Sequence, residues 1–175
     1  MDPHLGRLAR GLLLLLPLAF AGCSHDYQFT QQPSVGRMAS HALTGKRIAL
    51  DLSRTPDVLD TSANGHSFHV HGIRGHVTAV VTGLFGADMV VKDPAAADDV
   101  LALDLDLRIG SAFLGTEATA AATWRIRDRS GQEIATGSSS SSSAFPTMAN
   151  GGRNCEIAAL QAMSQALDAA MAKVR

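Results

Sequence analysis

The stretch "DDVLALDLDLRI", Asp98 to Ile109, decides the fold. Successive side chains of an extended strand point to opposite faces. Leu101, Leu103, Leu105, Leu107 and Ile109 therefore share one side, and Ala102, Asp104, Asp106 and Arg108 share the other. One side is apolar and the other is charged, so the stretch predicts a strand that covers a core with one face and meets water with the other.

The same grammar continues downstream. "EATAAATWRIRD" (Glu117 to Asp128) alternates again, with Ala118, Ala120, Ala122, Trp124 and Ile126 inward and Thr119, Thr123, Arg125 and Arg127 outward. "DRSGQ" reads as a turn, and "EIATGSSSSSSA" (Glu133 to Ala144) as a third strand that fades into serines. Strands joined by short turns pair antiparallel. "FPTMANGGRN" is rich in turn residues. Asn154 then suits the N-cap of a last helix, Cys155 to Lys173, with a stripe of Ile157, Leu160, Met163, Leu167, Met171 and Val174 backed by alanines.

Upstream, "KRIALDLS" (Lys46 to Ser53) alternates as a strand with Ile48, Leu50 and Leu52 inward. "TPDVLDTSANGHSFHVHG" carries Asn64-Gly65 between two β-prone runs, a strong hairpin signal. From Gly72 the period changes. Ile73, Val77, Val80, Val81, Leu84 and Phe85 recur at helical spacing until Gly86, and "DMVV" (Asp88 to Val91) is a short strand. Two helices and about five to seven one-sided strands predict an α+β two-layer sandwich, an antiparallel sheet with both helices on one face.

The chain has 175 residues, 46% of them hydrophobic and 18% charged, with a formal net charge of -1. That suits one domain, spanning 46–175. No basic surplus points to nucleic acid. Ahead of the domain, Met1 to Arg10 carries Arg7 and Arg10, Gly11 to Phe20 is apolar, and Ala21-Gly22 are small. These are the parts of a secretory signal peptide, and the apolar run is too short to span a bilayer. Residues 23–45, polar and broken by Pro33 and Gly36, read as a flexible tether.

Chemistry is sparse. There is no nucleophile elbow, phosphate loop or zinc-protease motif, so no enzyme is expected. His66, His69, His71 and His76 are candidate metal ligands, since His-x-His on a strand can chelate. No spacing completes a site, so the plainer reading is an exposed hairpin holding polar imidazoles, and no metal or other cofactor is expected. Asp104 and Asp106 read as a solvated face with cross-strand ion pairs to arginine. Ser138 to Ser143 reads as a polar edge strand or a flexible connection. Phe113, Leu114, Phe145 and Met148 either cap the core or form an exposed apolar patch that marks a partner site. Cys155 sits at an expected helix N-terminus, which lowers thiol pKa, against the plainer reading of a buried thiol.

Phe20-Ala21-Gly22-Cys23 resembles the lipobox of bacterial lipoproteins, with Phe20 where that family usually has Leu. The resemblance implies cleavage between Gly22 and Cys23, removal of 1–22, and acylation of Cys23. Ser24 in place of Asp implies the outer membrane by the sorting rule of such lipoproteins. The order "KRIALDLS", hairpin, "GLFGADMVV", "ADDVLALDLDL", two strands and a C-terminal helix is similar to the uncharacterised YajG-type lipoproteins of Gram-negative bacteria. By architecture it is also similar to the lipoprotein that plugs the lipopolysaccharide-export barrel and to auxiliary lipoproteins of lipid-transport systems. The expectation is a non-enzymatic, lipid-anchored accessory facing the periplasm, with an envelope protein as partner. A lipid-transport or lipopolysaccharide-export auxiliary, and a periplasmic metal binder, are the alternatives.

Overall fold

A computed structural model describes residues 22–30 and 45–173, with the helical backbone alone for 167–173. The signal segment and most of the expected tether lie outside the described residues. The elements are β1 (Ser24–Gln28), β2 (Ile48–Asp51), β3 (Val58–Ala63), β4 (His66–His71), α1 (Ile73–Phe85), β5 (Val90–Val91), β6 (Asp99–Ala112), β7 (Gly115–Asp128), β8 (Glu133–Phe145) and α2 (Gly151–Lys173).

Among the described residues this is a mixed α+β fold with two sheets and two helices, not one antiparallel sheet. The larger sheet has the order β5-β2-β6-β7-β8 and the smaller β1-β4-β3. β6, β7 and β8 form the expected antiparallel meander, but β2 runs parallel to both its neighbours. The chain leaves β2 and crosses over through the hairpin and α1 before it returns, and a crossover makes parallel neighbours. Such strands are covered on both faces. Ile48 and Ala49, adjacent in sequence, are accordingly both buried, whereas alternation had assigned Ala49 outward.

The inward rows of β6 and β7 are as the alternation predicts: Leu101 through Ile109 and Ala118 through Ile126 are buried at every second position. β2 runs beside only the first part of β6. Beyond it, the buried Thr55 hydroxyl donates to Leu103 O (2.8 Å) and accepts from Leu105 N (3.2 Å), so a side chain takes over the ladder. The Asn64-Gly65 hairpin forms as expected, with φ of 51° and 76° at the two turn residues. α1 buries Ile73, Val77, Val80, Val81 and Leu84, and also His76.

α2 packs on β6, β7 and β8 and touches β1 and β4. It begins at Gly151, ahead of the expected start, and Asn154 is not its cap. That side chain is buried within the helix and donates to Thr116 O at 3.2 Å. Of the expected stripe, Met163 is buried and Leu160 packs on the core, Ile157 is not part of it, and the side chains of Leu167, Met171 and Val174 lie outside the described residues. Cys155, Ala158, Ala159, Ala162, Met163 and Ala166 are buried, while Ile157 is exposed. The inward row of β7 starts with Ala118, Ala120 and Ala122 before Trp124 and Ile126, and small residues on both elements let the backbones approach. Ser139 Oγ hydrogen-bonds Ala162 O, and Ser141 Oγ donates to Gln161 Oε1 at 2.7 Å. The serine run is therefore an ordered edge strand.

The expected tether starts as a strand. β1 pairs parallel with β4, its inward side chains His25 and Tyr27 are half-buried, and Phe29 is buried. Apolar contact and a free β4 edge hold these residues on the domain.

Candidate functional site

Cys23 is exposed and immediately precedes β1. Its carbonyl accepts from Ser67 N at 3.0 Å, so the backbone at the cysteine is tied to the β3–β4 hairpin. That hairpin's Asn64 reaches the neighbouring β6–β7 hairpin: Nδ2 donates to Gly115 O at 3.2 Å, and Ser111 Oγ donates to Oδ1. Phe113 and Leu114 form the two-residue connection there, 94% and 75% exposed. Phe145 pairs with Thr116 and is 51% exposed. Its carbonyl lies against Gly115, where a Cβ would come within 2.0 Å of it. Met148 is half-buried, with Sδ 3.6 Å from Asn64 Nδ2. Cys23, Phe113, Leu114, Phe145 and Met148, spread over the sequence, thus meet at one end of the molecule.

The tip of that end is free of charge: 22–24, 61–65, 111–116 and 145–152 contain no Asp, Glu, Lys or Arg, and Glu117, opposite Gly110 and Ala144, is the first charge along β6, β7 and β8. The opposite end holds Lys46–Asp99 (2.8 Å), Arg47–Asp98 (3.8 Å) and Arg129–Asp98 (3.4 Å). At ~3.3 Å per residue the β6–β7 hairpin separates the two ends by roughly 45 Å.

A second constellation fastens β1 and its following residues to both helices. Tyr27 OH donates to Glu156 Oε2, and Thr30 donates to Oε1 through its hydroxyl and through its N–H at 2.8 Å. His76 Nδ1, in α1, donates to Thr30 O at 2.9 Å and lies 3.7 Å from Glu156 Oε1. Burial would raise the Glu156 pKa, but the Thr30 and Tyr27 hydrogen bonds and the nearby His76 outweigh it and hold the carboxyl below its ordinary value. Burial, then the Glu156 hydrogen bond and charge, push Tyr27 up to about 12. Gly152 belongs to the same lock: a Cβ there would come within 2.3 Å of the Tyr27 ring. Sequence reasoning missed Tyr27, Thr30 and Glu156 because their partners lie over a hundred residues away.

The candidate metal ligands do not converge. His66 Nδ1 is 2.8 Å from His25 Nε2. His69 and His71 share the outer face of β4, where His69 meets Asp60 at 2.8 Å and His71 lies 3.7 Å from Asp26. His76 is buried in α1. Among the described residues no three His, Cys, Asp or Glu side chains are grouped to hold a metal ion. Asp106 pairs with Arg108 on its own strand at 2.8 Å, rather than across strands as expected. The two line an open concavity of about 570 Å³ on the outer sheet face with Thr119, Ser140 and Ser142. Cys155 is fully buried, and burial pushes its thiol up to about 12, so desolvation overrides the helix N-terminus.

No protein-family model matches the chain, and no curated protein does. Among solved structures, it is similar to protein XCC0632 from Xanthomonas campestris, of family-model DUF330, at 14% identity. That match covers 80% of this chain and 91% of the other, with a TM-score of 0.58, and shows a shared fold. Lipoprotein GNA1162 from Neisseria meningitidis matches at 14% identity over 70% of this chain and 96% of its own, with a TM-score of 0.33 that bears no weight.

Proposed function

We propose that the chain is a non-enzymatic lipoprotein of the outer membrane, cut before Cys23, acylated on that residue, and facing the periplasm as a binding or assembly accessory. The observation that carries this is the place of Cys23. It is exposed and directly precedes the first described strand, so removal of 1–22 costs no described element, and its thiol is open to modification. The Phe20-Ala21-Gly22-Cys23 motif supplies the chemistry, a cysteine nucleophile able to take up acyl chains. Among the described residues no helix is long and apolar enough to cross a membrane. Several acyl chains at ~0.8 kcal/mol per buried methylene hold where one would be marginal.

The test is the intact mass of the chain purified from bacterial membranes. A mature form beginning at acylated Cys23 is the expected result, with Cys23→Ala left uncut. An unmodified Cys23, or a cut elsewhere, overturns the reading. Crosslinking in cells, with Cys23→Ala as control, then identifies the envelope partner.

A further inference from the structure

We propose that the Phe113-Leu114 hairpin tip, flanked by Phe145, is itself a membrane contact that enters the same bilayer as the acyl chains on Cys23. The inference rests on the lipoprotein reading and adds a second, non-covalent contact to it.

Four observations point to a lipid surface as the occupant. Cys23 has no slack on its domain side, because the very next residue begins β1 and the Cys23 carbonyl is bonded to Ser67. Acylation there holds the body itself against the membrane, with the hairpin end foremost. Next, Asn64 ties the hairpin beside Cys23 to Gly115, so the apolar tip sits on that same end. The side chains that would meet hydrocarbon, Phe113, Leu114 and Phe145, are apolar. The nearest charge along β6, β7 and β8 is Glu117, opposite Gly110 and Ala144, which would be costly at lipid depth and so bounds how far the tip enters. Arg153, exposed in the first turn of α2, is the first cation past this zone and suits the headgroup level. Finally, Leu114 holds φ of 67°, a conformation that disfavours a branched apolar side chain. A large apolar residue kept exposed where Asn or Gly would relieve the backbone is a residue kept for contact.

The measurement is depth-dependent fluorescence quenching on the acylated, full mature chain in phosphatidylethanolamine/phosphatidylglycerol vesicles carrying brominated acyl chains. A polarity-sensitive probe is placed on Phe113→Cys, and in a separate preparation on Ser130→Cys at the opposite end. Cys23 is blocked by its acyl chains and Cys155 by burial, so each preparation carries one label. Bromolipid should quench the Phe113 probe several-fold more than the Ser130 probe, and a Leu114→Asp change should abolish most of that difference. Equal, weak quenching at both positions, with mass analysis showing acylated Cys23, overturns the membrane contact and leaves the lipoprotein reading standing. An unmodified Cys23 removes both. A Phe113 probe shielded in native membranes but not in protein-free vesicles assigns the tip to a protein partner and also overturns the proposal.

Discussion

The phenol of Tyr27 donates its hydrogen bond to Glu156, joining a side chain four positions past Cys23 to α2 across 129 positions of sequence. Glu156 is nearly closed to water at 12% exposed, so the bond is charge-assisted and largely unscreened. Tyr27→Phe should cost about 1–2 kcal/mol in urea unfolding, because the carboxylate keeps its Thr30 partners. Glu156→Leu should cost more, since it leaves the half-buried Tyr27 hydroxyl without its acceptor and also removes both Thr30 hydrogen bonds, whose exposed donors turn to water. Equal costs for the two would argue against a shared acceptor.

The same carboxylate sets an acid limit. Its pKa is depressed in the fold, so its contribution is fully present above the unfolded-state value of ~4.3 and is lost as pH falls through the folded one. Stability should therefore decline below about pH 4. Glu156→Gln should show a shallower decline there, the remainder coming from Asp51, whose Ser53 hydrogen bonds lower it, and from Asp98 and Asp128. Parallel wild-type and variant curves would remove Glu156 as a cause.

Cys155 should be inert. Its thiol is fully buried and pushed up to about 12 from an ordinary 9, so almost no thiolate exists at neutral pH. A raised folded value keeps its contribution intact below pH ~9 and loses it as pH rises toward the folded value. Native protein should resist alkylation at Cys155 for hours and react at once in denaturant. Rapid labelling of the native chain would contradict the burial.

What could be read in advance divides along a physical line. β6, β7, the Asn64-Gly65 hairpin and α1 were legible because their signals are local: a period of two, a turn dipeptide, a period of 3.6. β1 was not. His25, Tyr27 and Phe29 do alternate, yet they sit in a polar run, and the edge that orders them is β4, some forty residues on. The parallel place of β2 was hidden for the same reason. The face of α2 was legible in part: Met163 is buried and Leu160 packs on the core as the period of 3.6 implies, with alanines beside them, whereas Ile157 is exposed. At the candidate site, each apolar residue was visible singly. Their convergence with Cys23 depends on Asn64, a turn residue that looked purely conformational.

Thr55 offers a test of the β6 ladder. Thr55→Val keeps the shape and removes the hydroxyl that serves Leu103 O and Leu105 N. Two buried backbone groups then lose a partner, at about 1–3 kcal/mol each before relaxation. The midpoint of urea unfolding should fall, with faster hydrogen exchange at the Leu105 amide. Unchanged exchange at Leu105 would show that the ladder does not need the side chain.

The last prediction sets stability against contact at a single residue. A non-glycine residue in the left-handed region costs roughly 1–2 kcal/mol, and Leu114 sits there with its side chain in solvent rather than in the core. Leu114→Gly removes that strain, although the extra freedom of glycine in the unfolded chain takes back part of the gain. A net stabilisation of about 0.5–1 kcal/mol is therefore expected from an apolar truncation, the reverse of what truncating a core leucine does. If the tip enters lipid, the same variant should lose bromolipid quenching at a Phe113 probe while it unfolds at higher urea. Leu114→Ala separates the two effects, because it removes the contact and keeps the strain. A Leu114→Gly protein that is both less stable and equally quenched would mean that the leucine packs within the hairpin and has no part in the membrane.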